Sequence, residues 1–241
     1  MRHDEGMIDL ADLWDFDDPA ASERRFRAAA TGDERPVMLT QVARALGLQG
    51  SYDAAHELLH EVAAGPVDEE TRVRLHLERG RLHRSAGDPV TARPEFDEAA
   101  ELAEAAGLDA LHLDALHMQA LVAEPDEAVA ITERALALAA VSDDERARNW
   151  DASLLTNLGM MRVEAGNLNG ALETFEDALS ARVRIGVPAD IRVARWRVAW
   201  VLRLQGRDDE ARAIQRALKA ELDAAGATDP YVDEELGLLG D

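Results

Sequence analysis

The sequence predicts an all-α fold of about five stacked helix pairs, and three observations carry that expectation. A frame of small and aromatic residues recurs along the chain at intervals of roughly 40 residues. The composition is 47% hydrophobic but only 4% aromatic, with much Ala and Leu, which favours helices over strands. Asp-Pro pairs near both ends, Asp18-Pro19 and Asp229-Pro230, read as a helix N-cap followed by proline at the first helical position.

Taken in order, residues 1–34 form an acidic segment and a helix from Asp18-Pro19 to about Ala30, suited to capping a stack whose end would otherwise be bare. Five repeats fill residues 35–222. The most legible copy holds Asn157-Leu158-Gly159, then Gly166, then Ala171, Phe175 and Ala178. Gly159 leaves room for a neighbouring helix. Gly166 suits a helix C-terminus, and Ala171, Phe175 and Ala178 share a face at i, i+4, i+7. Gly80, Gly87, Ala92, Phe96 and Ala99 repeat the frame, as do Ala43, Gly50, Tyr52, Ala55 and Leu59. Ala199, Gly206 and Ala211 give another copy. A weaker one runs from Asp109 to Ala139, with Glu124-Pro125 in place of the glycine turn. Residues 223–241 supply the first helix of a sixth pair, and Leu238 and Leu239 at its end are expected either to stay exposed or to pair with a second subunit.

This Leu-Gly, Gly, Ala, Phe, Ala pattern resembles the tetratricopeptide repeat. The signature alanines Ala55, Ala92, Ala128, Ala171 and Ala211 are 37, 36, 43 and 40 residues apart, longer than the usual 34 or so. The extra residues are placed after the second helix, as in 181–188. The long form resembles the repeats of kinesin light chain and related small bacterial proteins. The resemblance implies a right-handed α-solenoid in which the first helix of each pair lines a concave groove. On that basis the groove residues are Arg44 in the first repeat, Arg74, Arg81 and Arg84 in the second, and His117 in the third. Asn157 and Met160 follow in the fourth, and Trp196, Arg197, Trp200 and Arg203 in the fifth. Glu78 and Asp114 map to the same surface. Fixed guanidiniums with flat apolar anchors suit an acidic peptide carrying an aromatic residue. The competing expectation is that these arginines pair with carboxylates on neighbouring helices, and that the tryptophans pack in the core. The carboxylate clamp of some tetratricopeptide domains is incomplete: Asn157 and Arg197 match it, while His117, Leu113 and Val193 do not.

Charge narrows the partners. A net charge of −22 argues against nucleic acid and anionic membranes. The chain has no cysteine, and its N-terminus lacks the apolar run of a signal peptide. A soluble, cytoplasmic protein with a protein or peptide partner and no cofactor is expected. His56-Glu57-Leu58-Leu59-His60 is a literal His-Glu-x-x-His, which could bind zinc with Glu57 as general base. Ala55, Leu59 and Val62 already explain that helix as a repeat element, and no clear third ligand follows. The leading expectation is therefore a non-catalytic interaction scaffold, with a peptide or small-molecule sensing regulator as the alternative and a zinc hydrolase behind both. Finally, Asp12-Leu13-Trp14-Asp15-Phe16-Asp17-Asp18 resembles the tryptophan-acidic peptides that kinesin light chain repeats bind. Residues 7–18 are expected either to cap the first repeat or to occupy the groove.

Overall fold

The computed structural model describes residues 10–240, and among them every regular element is a helix. A short helix α1 (Leu10–Leu13) precedes α2 (Pro19–Ala29). Then come α3 (Arg35–Leu48) packed with α4 (Tyr52–Ala63), α5 (Glu69–Ser85) packed with α6 (Pro89–Ala106), next α7 (Asp109–Ala120), and α8 (Pro125–Val141). After a single turn, α9 (Glu145–Arg148), come α10 (Asp151–Glu164) with α11 (Leu168–Ile185), and α12 (Pro188–Leu204) with α13 (Asp208–Ala224). The unpaired α14 (Pro230–Leu238) comes last. Among the described residues no helix is long and apolar enough to cross a membrane.

Helix starts follow local chemistry. The Asp18 side chain accepts a hydrogen bond from the Ala21 N–H at 2.8 Å, with Pro19 at the first position of α2. Asp88 does the same for α6 through Thr91, and Asn167 for α11 through Gly170. Asp229 caps α14 through the Tyr231 N–H at 3.0 Å. Each cap satisfies an N–H that has no partner inside its helix.

Within a pair, the repeated glycine receives the repeated phenylalanine. A Cβ built on Gly159 would lie 2.6 Å from the Phe175 ring, and Gly80 stands in the same relation to Phe96. Phe96 and Phe175 are essentially inaccessible, so the two residue types at that spacing fix how closely α5 meets α6 and α10 meets α11. Truncating such a buried ring costs about 3–5 kcal/mol.

The chain forms two compact units, residues 1–124 and 125–241, and the boundary falls where Pro125 replaces the glycine turn. In the N-terminal unit one core gathers Phe26, Met38, Val42, Leu59 and Leu82, with Leu10, Leu13 and Trp14 packed on it. A second core is built on Phe96. There α3 packs on α5 and α5 on α7, so three first helices stand side by side. In the C-terminal unit α10, α11, α12 and α13 surround Phe175, Val198, Val201 and Ala211, and α14 closes on α13 through Val232.

Two local expectations are revised. The extra residues expected after the second helix of the fourth pair largely lengthen that helix instead, because α11 runs on to Ile185 and α12 starts at Pro188. At the other end, Leu238 is 61% exposed whereas Leu239 is buried in the core of the C-terminal unit. Arg212 holds the Leu239 carbonyl at 2.7 Å, which turns only one of the two leucines outward.

Candidate functional site

The N-terminal unit places Arg44 on α3, Arg74, Arg81 and Arg84 on α5, and His117 on α7. Arg81 is buried between helices and donates to Glu78 on its own helix and to Asp114 on α7, both at 2.5 Å. Burial opposes the Arg81 charge, but the Asp114 and Glu78 carboxylates outweigh it and hold its pKa above the ordinary guanidinium value. Burial likewise favours protonated Asp114, yet Arg81 and Arg44 keep its pKa below the usual carboxylate range. Arg81 thus fastens α5 to α7, an arrangement the charge pattern left open as the alternative to ligand contact. Arg74 bonds Glu70 one turn back at 2.8 Å. His117 is half-buried, and burial pushes its pKa down.

Arg44 has a different neighbour. Its guanidinium lies 5.3 Å from the Trp14 ring centroid and 5.6 Å from that of Phe16. The two rings are stacked at 4.8 Å with 1° between their planes, and Trp14 meets Phe26 edge-on at 5.0 Å. The indole N–H donates to Gln41 Oε1 at 3.2 Å. Ser22, which is buried, pins the segment by accepting from the Asp15 N–H at 2.7 Å and donating to the Asp15 carbonyl at 2.9 Å. Burial, then repulsion from Arg81, lowers the Arg44 pKa, while Glu78 and Asp114 counter it. Trp14 packs on the first core and Phe16 stays 60% exposed, so the aromatic-acidic segment covers α2 and α3 and touches Arg44 at once. Met7, Ile8 and Asp9 lie outside the described residues. Beside this contact, a cavity of about 200 Å³ is lined by Arg44, Leu48, Glu78, Arg81, Arg84 and Met118. One Glu78 oxygen, Oε2, is buried without a hydrogen-bond partner among the described residues.

In the C-terminal unit, Asn157 and Met160 are half-buried on α10, and Met160 packs against the Phe175 core. Trp196, Arg197, Trp200 and Arg203 project from α12. Arg203 grips Glu235 of α14 with two bonds of 2.7 Å. Trp196 stacks on Trp200 at 5.9 Å, and its indole N–H donates to the Tyr231 carbonyl at 3.2 Å. Both tryptophans rest partly on core residues. Arg197 lines a cavity of about 250 Å³ with Val193, Trp196, Asp229 and Tyr231. Sequence reasoning missed Asp229 and Tyr231 as neighbours of this site; the signal available was the Asp-Pro start that puts Tyr231 in the first turn of α14.

The His-Glu-x-x-His residues lie on α4. His56 faces the His83 ring at 5.0 Å, and burial and that neighbour lower its pKa. Glu57 and His60 are exposed. Among the described residues no group of three or more His, Asp or Glu side chains is placed to hold a metal ion.

No protein-family model and no curated protein matches the chain. Solved structures do. The chain is similar to BtubC from P. vanneervenii, at TM-score 0.68 and 17% identity over 93% of this chain and 95% of that one. It is similar to a putative kinesin light chain of nearly identical tetratricopeptide-like repeats from Podosopora anserina, at TM-score 0.59 and 18% identity over 78% and 95%. It is also similar to the quorum sensor NprR solved in complex with its cognate peptide NprX, at TM-score 0.55 and 17% identity over 92% and 66%. At such identities the likeness speaks to the fold, and it agrees with the paired glycine–phenylalanine packing described above. By fold, the chain is an all-α solenoid protein of the tetratricopeptide-repeat type.

Proposed function

We propose that the chain is a non-catalytic interaction scaffold whose first-helix surface in the N-terminal unit receives a peptide with an aromatic residue flanked by carboxylates. The observation that carries this reading is the seat of the chain's own Trp14-Asp15-Phe16 under the Arg44 guanidinium, with Gln41 accepting from the indole. That arrangement is a working example of the ligand chemistry, and Arg84, which lines the adjoining cavity, offers a further cation to a carboxylate. NprR, a neighbour in fold solved with a bound peptide, supports a peptide as the occupant. Arg74, Arg81 and Arg203 act in this reading as framework rather than as ligand contacts, because each is bonded to a carboxylate of the chain itself.

The test is competition. A fluorescent peptide of residues 10–18 is titrated into the wild type, into the full chain carrying Trp14→Ala with Phe16→Ala, and into that variant with Arg44→Gln added. Emptying the seat should tighten binding about tenfold or more, and Arg44→Gln should reverse most of that gain, since a partly buried cation–π contact is worth about 1–2 kcal/mol. A doubly substituted chain of unchanged helicity that fails to bind the peptide would overturn the reading.

A further inference from the structure

The C-terminal unit carries a second place where an arginine and aromatic rings meet, and here the arginine lacks its counter-charge. Arg197 is half-buried on α12, and no hydrogen bond or ion pair to its guanidinium is found among the described residues. Its nearest attractive carboxylate, Asp190, is taken by Arg182 at 2.8 Å. Burial, then repulsion from Arg182, depresses the Arg197 pKa. The protein has thus placed a guanidinium where desolvation and a like charge both oppose it, a placement that a bound anion relieves.

Three of the residues that line the cavity with it, Val193, Trp196 and Tyr231, are apolar or aromatic. Trp196 is fixed from two sides, by the stack on Trp200 and by its bond to the Tyr231 carbonyl, and Tyr231 meets it edge-on at 6.1 Å. Val193 and Tyr231 leave 44% and 64% of their surface in water, unusual for a valine and a tyrosine sharing one cavity. The volume of about 250 Å³ falls below the roughly 300 Å³ at which sites for whole small molecules begin. It suits a single ring-bearing side chain with its adjoining group. Asp229 also lines the cavity and, with one oxygen accepting from the Tyr231 N–H in capping α14, repels a carboxylate placed beside it. Charge therefore favours an anion against Arg197, with the ring against Trp196 and Tyr231.

We propose that the cavity between α12 and α14 is a second peptide site, which takes an aromatic residue followed by an aspartate or glutamate side chain, the carboxylate pairing with Arg197. This extends the reading of the N-terminal unit to a different pocket and rests on it for the class of ligand. The site is built partly from α14, so the final unpaired helix supplies the wall that makes a cavity out of one exposed face of α12.

Calorimetric titration of the full chain with N-acetyl-Phe-Asp-amide and N-acetyl-Phe-Asn-amide tests it, with the Trp196 indole N–H resonance, assigned through Trp196→Phe, as the site-specific readout. The aspartyl probe should bind and shift that resonance, and the asparaginyl probe should bind about tenfold or more weakly, since a charge-assisted pair is worth roughly twice a neutral hydrogen bond. Arg197→Gln should erase the preference, and Arg44→Gln should leave it intact. Absence of binding at millimolar probe, or an unchanged preference in Arg197→Gln, overturns this site. Those results leave the seat at Arg44 standing, which the competition experiment judges separately.

Discussion

Replacing Arg81 with methionine probes how the first helices of the N-terminal unit are held together. The side chains of Arg81, Glu78 and Asp114 are 13%, 2% and 13% exposed, so the change strands two carboxylates out of water. Arg44 also attracts Asp114, but it is already engaged over Trp14 and Phe16. Removing one partner of a buried pair costs about 3–5 kcal/mol. With two carboxylates left behind, the upper part of that range, about 4–5 kcal/mol, is expected. At 2–4 °C per kcal/mol for a chain of this size, the melting midpoint should fall by roughly 8–20 °C. The dependence on pH gives the decisive signature. In the wild type, Asp114 has a depressed pKa, so its contribution is present above its unfolded value and fades as pH falls through the folded one. In the variant, burial without the cation favours protonated Asp114, and the penalty therefore shrinks as the solution is acidified. Urea unfolding followed by circular dichroism at a series of pH values between neutrality and acid measures both effects. A difference of less than about 1 kcal/mol that stays constant with pH would refute the reasoning, since the pairs would then behave like exposed ones.

Two further outcomes follow from the packing and from His117. Gly159→Ala forces a Cβ into the Phe175 ring and should cost about 1–3 kcal/mol by overpacking; a cycle with Phe175→Leu, read by thermal melts, should recover much of that loss. His117 is half-buried near Asp114, Arg81, Arg84 and Arg44, with a lowered pKa. Its unfolded form binds the proton more readily, so stability falls as pH drops below about 6.5 and levels off beneath the folded value, with a slope of at most about 1.4 kcal/mol per pH unit from this one group. His117→Gln should flatten that part of the stability curve, and an unaltered slope would show that another group titrates there.

The parts of the fold that were legible in the sequence are those in which one local rule sets both identity and spacing. Gly80 with Phe96 and Gly159 with Phe175 had to appear together, because a ring needs a missing Cβ opposite it, and Asp18-Pro19 and Asp229-Pro230 mark helix starts through bonds spanning two or three residues. Pairings between helices were less legible. Arg81 and Asp114 are 33 residues apart, and Arg203 and Glu235 are 32 apart; the same charges at the same positions allow either a ligand contact or an internal bridge, depending on the stagger of one helix against the next. The extension of α11 through Ile185 was hidden for a related reason: the β-branched Val183 and Ile185 give no strong helix signal, and the frame taken from shorter repeats placed residues 181–188 after the helix.

Trp14 also has a spectroscopic consequence. Its indole is stacked on Phe16 of the same segment, and it is edged by Phe26, overlain by the Arg44 guanidinium and hydrogen-bonded to Gln41 through its N–H, three contacts that a departing segment loses in a single step. With Trp150, Trp196 and Trp200 replaced by phenylalanine, the remaining emission would redden as the indole enters water. The protein then becomes its own optical gauge of whether the seat is filled, with no attached dye to disturb it.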